Sequence, residues 1–301
     1  MIRVPVYLQL RACLSRLRIL RRLRSSRLAP IGNYLQGLDR RLLRSFPPDV
    51  RLRNEFNLWA EKRLGESMES DHLWFTERTL NQMSISSADR ILDLGCGEGW
   101  ACRLMAARSD GPCAVVGLDI ADEMVRRARV KSSQLAKVTF LCSSAERIPC
   151  RDRAFTKVLS VSAFYYFDHQ EEVLKELLRV LEPAGQLFLL IALYKDLPDW
   201  LESARGLRVP VHAHSAEEYQ SMLGAAGWID VQAQELVREG QSDSQDGGHN
   251  RALLISAQKP PIESAVLAGR SWLPPVQRET AAPARGWNDE TSGQPSLSKS
   301  K

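Results

Sequence analysis

A chain of 301 residues, 44% hydrophobic and 26% charged, can bury a full core, and with no run of about 18 apolar residues it is read as soluble or peripheral rather than spanning. Its net charge of +5 is segregated: residues 1–46 hold eleven Arg, no Lys and one acid, Asp39, a net +10, so the rest of the chain carries −5. That imbalance argues against a body that binds nucleic acid by charge, because the basic character belongs to one arm.

This Arg-rich N-terminal arm, residues 1–48, comes first in chain order. On a helical projection Leu10, Cys13, Leu14, Leu17 and Leu20 share a face opposite Arg11, Ser15, Arg18 and Arg22, although Arg21 and Arg24 interrupt the apolar side. Three readings compete: a mitochondrial-type transit peptide, a peripheral contact with an anionic membrane surface, or a plain extension. The corresponding location is cytoplasmic, or the mitochondrial matrix if the source is eukaryotic and the arm is a transit peptide. A helical preface or lid spans 49–84, with a break at Gly65.

From residue 85 the period changes to short apolar runs alternating with helical patterns, the mark of βαβ units. Strands are expected at 90–94, 114–120, 138–142, 157–162, 185–192, 230–237 and 251–258. Helices are expected at 100–108, 122–131, 170–181 and 216–226, the last opened by a Ser215/Glu218 capping box and closed before Gly227. The last two strands are joined by a polar, Gly-containing stretch with no room for a crossover helix, so they should pair antiparallel. The fold class is therefore α/β, a doubly wound seven-stranded sheet with an antiparallel final hairpin. One domain, residues 85–259, lies between flexible extensions, and the Pro- and Ser-rich segment 260–301 reads as a disordered tail.

The six cysteines (Cys13, Cys96, Cys102, Cys113, Cys142, Cys150) form no C-x-x-C pair and no Cys/His cluster, so neither a metal site nor a disulfide framework is expected.

The chemistry concentrates in Asp93-Leu94-Gly95-Cys96-Gly97-Glu98-Gly99, a glycine turn at the carboxyl end of the first strand, where open α/β sheets bind ligands. A dinucleotide is the main rival ligand. Its fingerprint wants a small residue where Trp100 stands, and the carboxylates of Asp93 and Glu98 would repel a pyrophosphate while suiting an ammonium and a sulfonium. Asp119, at the end of the second strand, is placed to accept hydrogen bonds from ribose hydroxyls.

In order and spacing these segments resemble the class I S-adenosylmethionine-dependent methyltransferases, within them the small-molecule, ubiquinone/menaquinone C-methyltransferase-like type (methyltransferase type 11). The resemblance covers residues 85–259 and implies a Rossmann-like fold. It also implies that Asp93 to Gly99 is the first motif, Asp119 the ribose acid, and Ser143 to Pro149 the segment bordering adenine. Ala154 to Ser160 and Leu181 to Gly185 match further. By it the cofactor-binding set is Asp93, Gly95, Cys96, Gly97, Gly99, Asp119, Ile120, Met124, Ser144, Ala145, Glu146 and Ser160. Two positions depart from the pattern: Ser144 stands where the family often has an Asp that contacts adenine, and Thr156-Lys157 replaces a frequent Asp-Val.

Methyl transfer is an in-line displacement that needs a base only when the nucleophile holds a proton, so no catalytic residue is obligatory. His72, Tyr165 and Tyr166 are the candidates, with His212 and His214 as further bases, and His169 reads as structural. Phe164 to Phe167, the segment Leu193 to His214, and the preface around Trp59 and His72 are expected around the acceptor. The expected activity is methyl transfer to a small molecule, with no metal and no nucleic-acid partner. The alternatives are a non-catalytic S-adenosylmethionine-binding protein or a methyltransferase acting on a macromolecule.

Overall fold

The computed structural model describes residues 46–108, 111, 113–198, 201, 204, 209–238 and 250–262. The basic arm up to residue 45, most of the linker between the last two strands, and the tail beyond 262 lie outside the described residues.

Two helices come first, α1 (Pro48–Glu61) and α2 (Gly65–Met83). The expected break does not fall at Gly65, which instead opens α2. The chain reverses two residues earlier, where Arg63 takes a left-handed backbone at φ 58° and ends α1.

The α/β body follows as β1 (Arg90–Leu94), α3 (Trp100–Arg108), β2 (Ala114–Asp119), α4 (Asp122–Lys131), β3 (Val138–Cys142), β4 (Phe155–Val161), a 3-10 turn (Phe164–Tyr166), α5 (Gln170–Val180), β5 (Leu181–Ile191), α6 (Ala216–Ala225), β6 (Ile229–Val237) and β7 (Arg251–Gln258). The seven strands form one sheet in the order β3-β2-β1-β4-β5-β7-β6. The first five pair parallel, and β7 runs antiparallel between β5 and β6, as the expected final hairpin requires.

Alternation along the strands supplies both cores. In β1, Leu92 and Leu94 face α5 and α6, joining Val173, Leu174, Leu177, Tyr219 and Leu223. Ile91 faces the opposite side, with Phe75 and Met83 of α2, Met105 of α3 and Val125 of α4. Helices therefore cover both faces, which is why the parallel strands read as nearly continuous apolar runs.

β5 begins at Leu181, four residues before the expected Gly185. Leu181 pairs with Phe155, and the register then jumps to Lys157 opposite Gln186. The turn-like Pro183-Ala184-Gly185 is absorbed as an irregularity inside the strand rather than preceding it.

α6 is capped as its sequence predicts: Ser215 Oγ accepts from Glu218 N at 3.2 Å, and Ser215 N donates to Glu218 Oε2 at 2.8 Å. Ser215→Ala should cost about 1 kcal/mol, read as a lower urea midpoint with an unchanged slope.

Candidate functional site

The order β2-β1-β4 places a topological switch point between β1 and β4, where neighbouring crossovers leave to opposite faces and a crevice opens at the strand ends. A cleft of about 1050 Å³, counting its solvent-open mouth, lies there.

The floor is the glycine turn. Gly95 N and Cys96 N both donate to Leu118 O, at 2.8 and 3.0 Å, which ties the turn to the end of β2. Gly95 sits at φ +74°, and a Cβ there would fall 2.4 Å from Ala163 Cβ. Only glycine meets both demands. The opposite wall is brought in by Ser162, which ends β4 in a left-handed conformation at φ 51° and swings residues 163–168 over the turn. Such strain in a non-glycine residue gathers at functional sites.

Asp119 anchors the loop from β2. It is 8% exposed, its Oδ2 accepting from Gly97 N at 2.9 Å and its Oδ1 from Ala121 N at 2.8 Å. Burial raises its carboxyl above the usual range, while those two amides pull it back. Each oxygen keeps a second lone pair for a ligand hydroxyl.

Of the residues the resemblance assigns to the cofactor, Gly95, Cys96, Gly97, Asp119, Ile120, Met124, Ser144, Ala145 and Glu146 line the cleft. Asp93, Gly99 and Ser160 do not. Asp93 is 1% exposed on the side of the sheet covered by α3, where its Oδ2 accepts from Cys102 Sγ at 3.0 Å. Ser160 Oγ is turned to Leu94 O at 2.9 Å, and Gly99 packs against Phe140 and Ala128.

The expectation that Asp93 and Glu98 present bare charge to the ligand is corrected here. Asp93 faces away, and burial pushes its carboxyl up to about 7, with the thiol of Cys102 opposing and the charge of Asp119 assisting. Glu98 does line the cleft, but Lys131 and Arg127 pair with it. Spacing could find the carboxylates and not the cations, which reach Glu98 from α4.

The raised Asp93 group makes stability fall with pH. Its contribution is fully present below the unfolded value of 3.8 and is lost as pH rises toward about 7, because the fold holds a proton that the unfolded chain releases. Across that window wild type should lose on the order of 1 kcal/mol per pH unit relative to Asp93→Asn. Urea titrations of both proteins at several pH values measure the difference.

The preface lies over the cleft. α1 contributes Pro48, Asp49, Leu52, Phe56 and Trp59 to its wall. It is fastened to α4 by Asn57, which donates to Asp122 Oδ1 at 2.7 Å and accepts from Glu123 N at 2.9 Å. Phe56 stacks edge-on against Tyr166 with ring centroids 5.1 Å apart.

Of the residues proposed for the acceptor side, Tyr166 lines the cleft. Tyr165 is buried behind it and is not part of the cleft wall, and burial pushes its phenol up to about 12. His72 is buried in α2, its Nδ1 2.8 Å from Met68 O, and does not reach the cleft. None of the described residues of 193–214 reaches it either; Leu193, Tyr194, Leu197 and Val209 join the core instead.

Sequence reasoning missed Asp168. It lines the cleft, and its Oδ1 meets His212 Nε2 at 2.8 Å. His212 is positioned by its own N–H, which donates to Tyr165 O at 2.7 Å. His214 stands beside Gln170, 2.8 Å from its Oε1, and burial lowers its imidazole. Forty-four residues separate Asp168 from His212, so no local signal announces the pair.

Against known proteins, residues 92–189 match the family model described as a methyltransferase domain. The chain is 29% identical over 147 residues to malonyl-acyl-carrier-protein O-methyltransferase of a Marinomonas species, an alignment covering 49% of this chain and 54% of that protein. It is 29% identical over 133 residues to demethylmenaquinone methyltransferase of Listeria welshimeri, covering 43% and 56%. The chain thus spans about half the length of the curated relatives it matches. A Haloferax volcanii methyltransferase, solved in complex with a methyltransferase activator, superposes with a TM-score of 0.63 at 23% identity, over 68% of this chain and 98% of that one. This structural likeness speaks to the fold. The motif order and the sheet order agree with the match of residues 92–189 to a methyltransferase domain.

Proposed function

We propose that this protein transfers a methyl group from S-adenosylmethionine to a small-molecule acceptor. One observation carries the reading. The cleft wall holds five carboxylates (Asp49, Glu98, Asp119, Glu146 and Asp168) and, among the described residues, no Lys, Arg or His. A pyrophosphate would meet that wall without a counter-charge, whereas a cationic ligand is favoured by it. Paired Glu98 contributes least.

S-adenosylmethionine, when bound, supplies a methyl group on a sulfonium sulfur that a nucleophile can displace in line. The backbone of Gly95 to Gly97 offers close approach without side chains, and Asp119 offers acceptors for sugar hydroxyls. Ser144 Oγ already accepts from Glu146 N at 3.3 Å, so the serine shapes its own turn and leaves adenine recognition to backbone and to Ala145. Phe56, Trp59 and Tyr166 exclude water from the acceptor end. For an acceptor that loses a proton, Asp168 is the group to take it, oriented by His212.

Calorimetry with S-adenosylmethionine, S-adenosylhomocysteine and NAD(P) tests the first step. Binding of the first two alone is expected, and selective NAD(P) binding would overturn the reading. With an acceptor found by a labelled-methyl screen, Asp168→Asn should lower turnover on the order of a hundredfold while weakening cofactor binding by no more than about a few fold, the share of one carboxylate in five.

A further inference from the structure

His212 stands on a stretch without regular structure, since residues 209–214 belong to no helix or strand. Bonds from outside that stretch must fix the 2.8 Å contact between His212 Nε2 and Asp168 Oδ1, because loops move more than the elements they join. Those bonds come from the segment that carries Asp168. Tyr165 O accepts from His212 N at 2.7 Å, and Gln170 Nε2 donates to His212 O at 3.0 Å. Both backbone groups of His212 are thus held by residues that flank Asp168 in the chain.

Gln170 is the first residue of α5 and only 5% exposed. Its Nε2 also donates to Phe164 O at 3.1 Å, in the 3-10 turn whose Tyr166 lines the cleft. Its Oε1 meets His214 Nε2 at 2.8 Å. The partners set the orientation of the amide. Two carbonyl oxygens lie against one end, so the NH2 group belongs there, Oε1 is the acceptor, and His214 carries its proton on Nε2. One buried side chain thereby joins the turn, the start of α5 and the 212–214 stretch. Glutamate in its place would set a carboxylate against two carbonyl oxygens, and methionine would leave both unpaired.

We propose that Gln170 is the positioning residue of the site: it holds His212 on Asp168 and so keeps that carboxylate aimed to take a proton from the methyl acceptor. Gln170 is not part of the cleft wall and acts through the pair. The catalytic half rests on the methyltransferase reading; the geometric half does not.

Nuclear magnetic resonance of the full chain, with its histidines labelled with nitrogen-15, tests the geometry without any substrate. The Nε2–H of His212, identified by its loss in His212→Ala, should be protected from exchange with water in the wild type and exchange on the order of tenfold faster in Gln170→Met. Gln170→Glu is the second variant, for the case that Gln170→Met is too unstable to purify. Buried against two carbonyl oxygens, that glutamate should hold a proton and keep one of the two donated bonds, which places its exchange rate between the other two. No protected His212 proton in the wild type, or an unchanged rate in a folded variant, would overturn the proposal.

With an acceptor from the labelled-methyl screen, Gln170→Met should lower kcat on the order of tenfold, the effect of a displacement under about 1 Å. Its affinity for S-adenosylmethionine should stay within about a few fold of wild type by calorimetry. In the Asp168→Asn background the same substitution should lower kcat no further, because Gln170 acts through that carboxylate. An equal further loss there would mean that Gln170 only supports the fold, and the positioning role would fail. Calorimetry on the wild type separates the two ideas: absence of S-adenosylmethionine binding sinks the methyltransferase reading and leaves the His212 proton to decide the geometry.

Discussion

Gly95→Ala is expected to cost about 2–5 kcal/mol of stability and to weaken S-adenosylmethionine binding tenfold or more. Two penalties combine. A left-handed backbone at φ +74° costs an L-residue about 1–2 kcal/mol, and a Cβ placed 2.4 Å from Ala163 Cβ adds about 1–3 kcal/mol of overpacking. The second penalty can be removed separately. Ala163→Gly takes away the opposing methyl, so in the double variant the steric part should return and the backbone part remain, a coupling that a double-mutant cycle measures directly. Moving the two segments apart would also displace Gly95 N and Cys96 N from Leu118 O, and so separate the turn from Asp119. If Gly95→Ala kept wild-type stability and cofactor affinity, the close approach of the turn to the β4 exit would not matter to either.

The parts of the fold legible in the sequence are those encoded by local period. Strand β1, its turn and α3 are fixed by an apolar run, a cluster of glycines and a helical stripe, all within about twenty residues. The Ser215 cap was legible for the same reason. Position along the chain says nothing about which way an alternating strand faces, and there the reading failed. Asp93, one step from Leu92 and Leu94, falls on the α3 side and is turned away from the cleft. Asp119 closes its own strand and faces the ligand crevice, so two acids of similar sequence context have different surroundings. The cations on Glu98 and the His212 beside Asp168 arrive from distant segments, and only the topology brings them in. The Gly65 break erred by two residues because Arg63 tolerates a conformation usually left to glycine.

Thr156-Lys157, a departure from the family pattern with no evident effect in the sequence, leads to the second large effect. Both residues converge on Asp89, which is 5% exposed just before β1. Thr156 Oγ1 donates to its Oδ1 at 2.7 Å, while Lys157 Nζ at 2.6 Å and Ser86 N at 2.7 Å donate to its Oδ2. Burial alone would raise that carboxyl, but the donors outweigh it and hold it below 3.8. Lys157→Met should therefore cost about 3–5 kcal/mol at neutral pH, toward the lower end because Ser86 and Thr156 remain.

The sign with pH follows. In wild type the contribution of Asp89 is fully present above its unfolded value of 3.8 and is lost as pH falls through its depressed folded value. In the variant Asp89 keeps its burial without the ammonium, so it protonates at higher pH, and the deficit should shrink as the solution is acidified. Adding Asp89→Asn to Lys157→Met removes the stranded charge and should restore most of the loss. The pair formed by Arg251 and Glu235 at 3.2 Å, with side chains 48% and 39% exposed, gives the contrast: Arg251→Met should change stability by less than about 1 kcal/mol, since water screens that pair. Equal costs for Lys157→Met and Arg251→Met would mean that burial contributes nothing to the Asp89 pair, and the family departure at residues 156 and 157 would then be neutral to the fold.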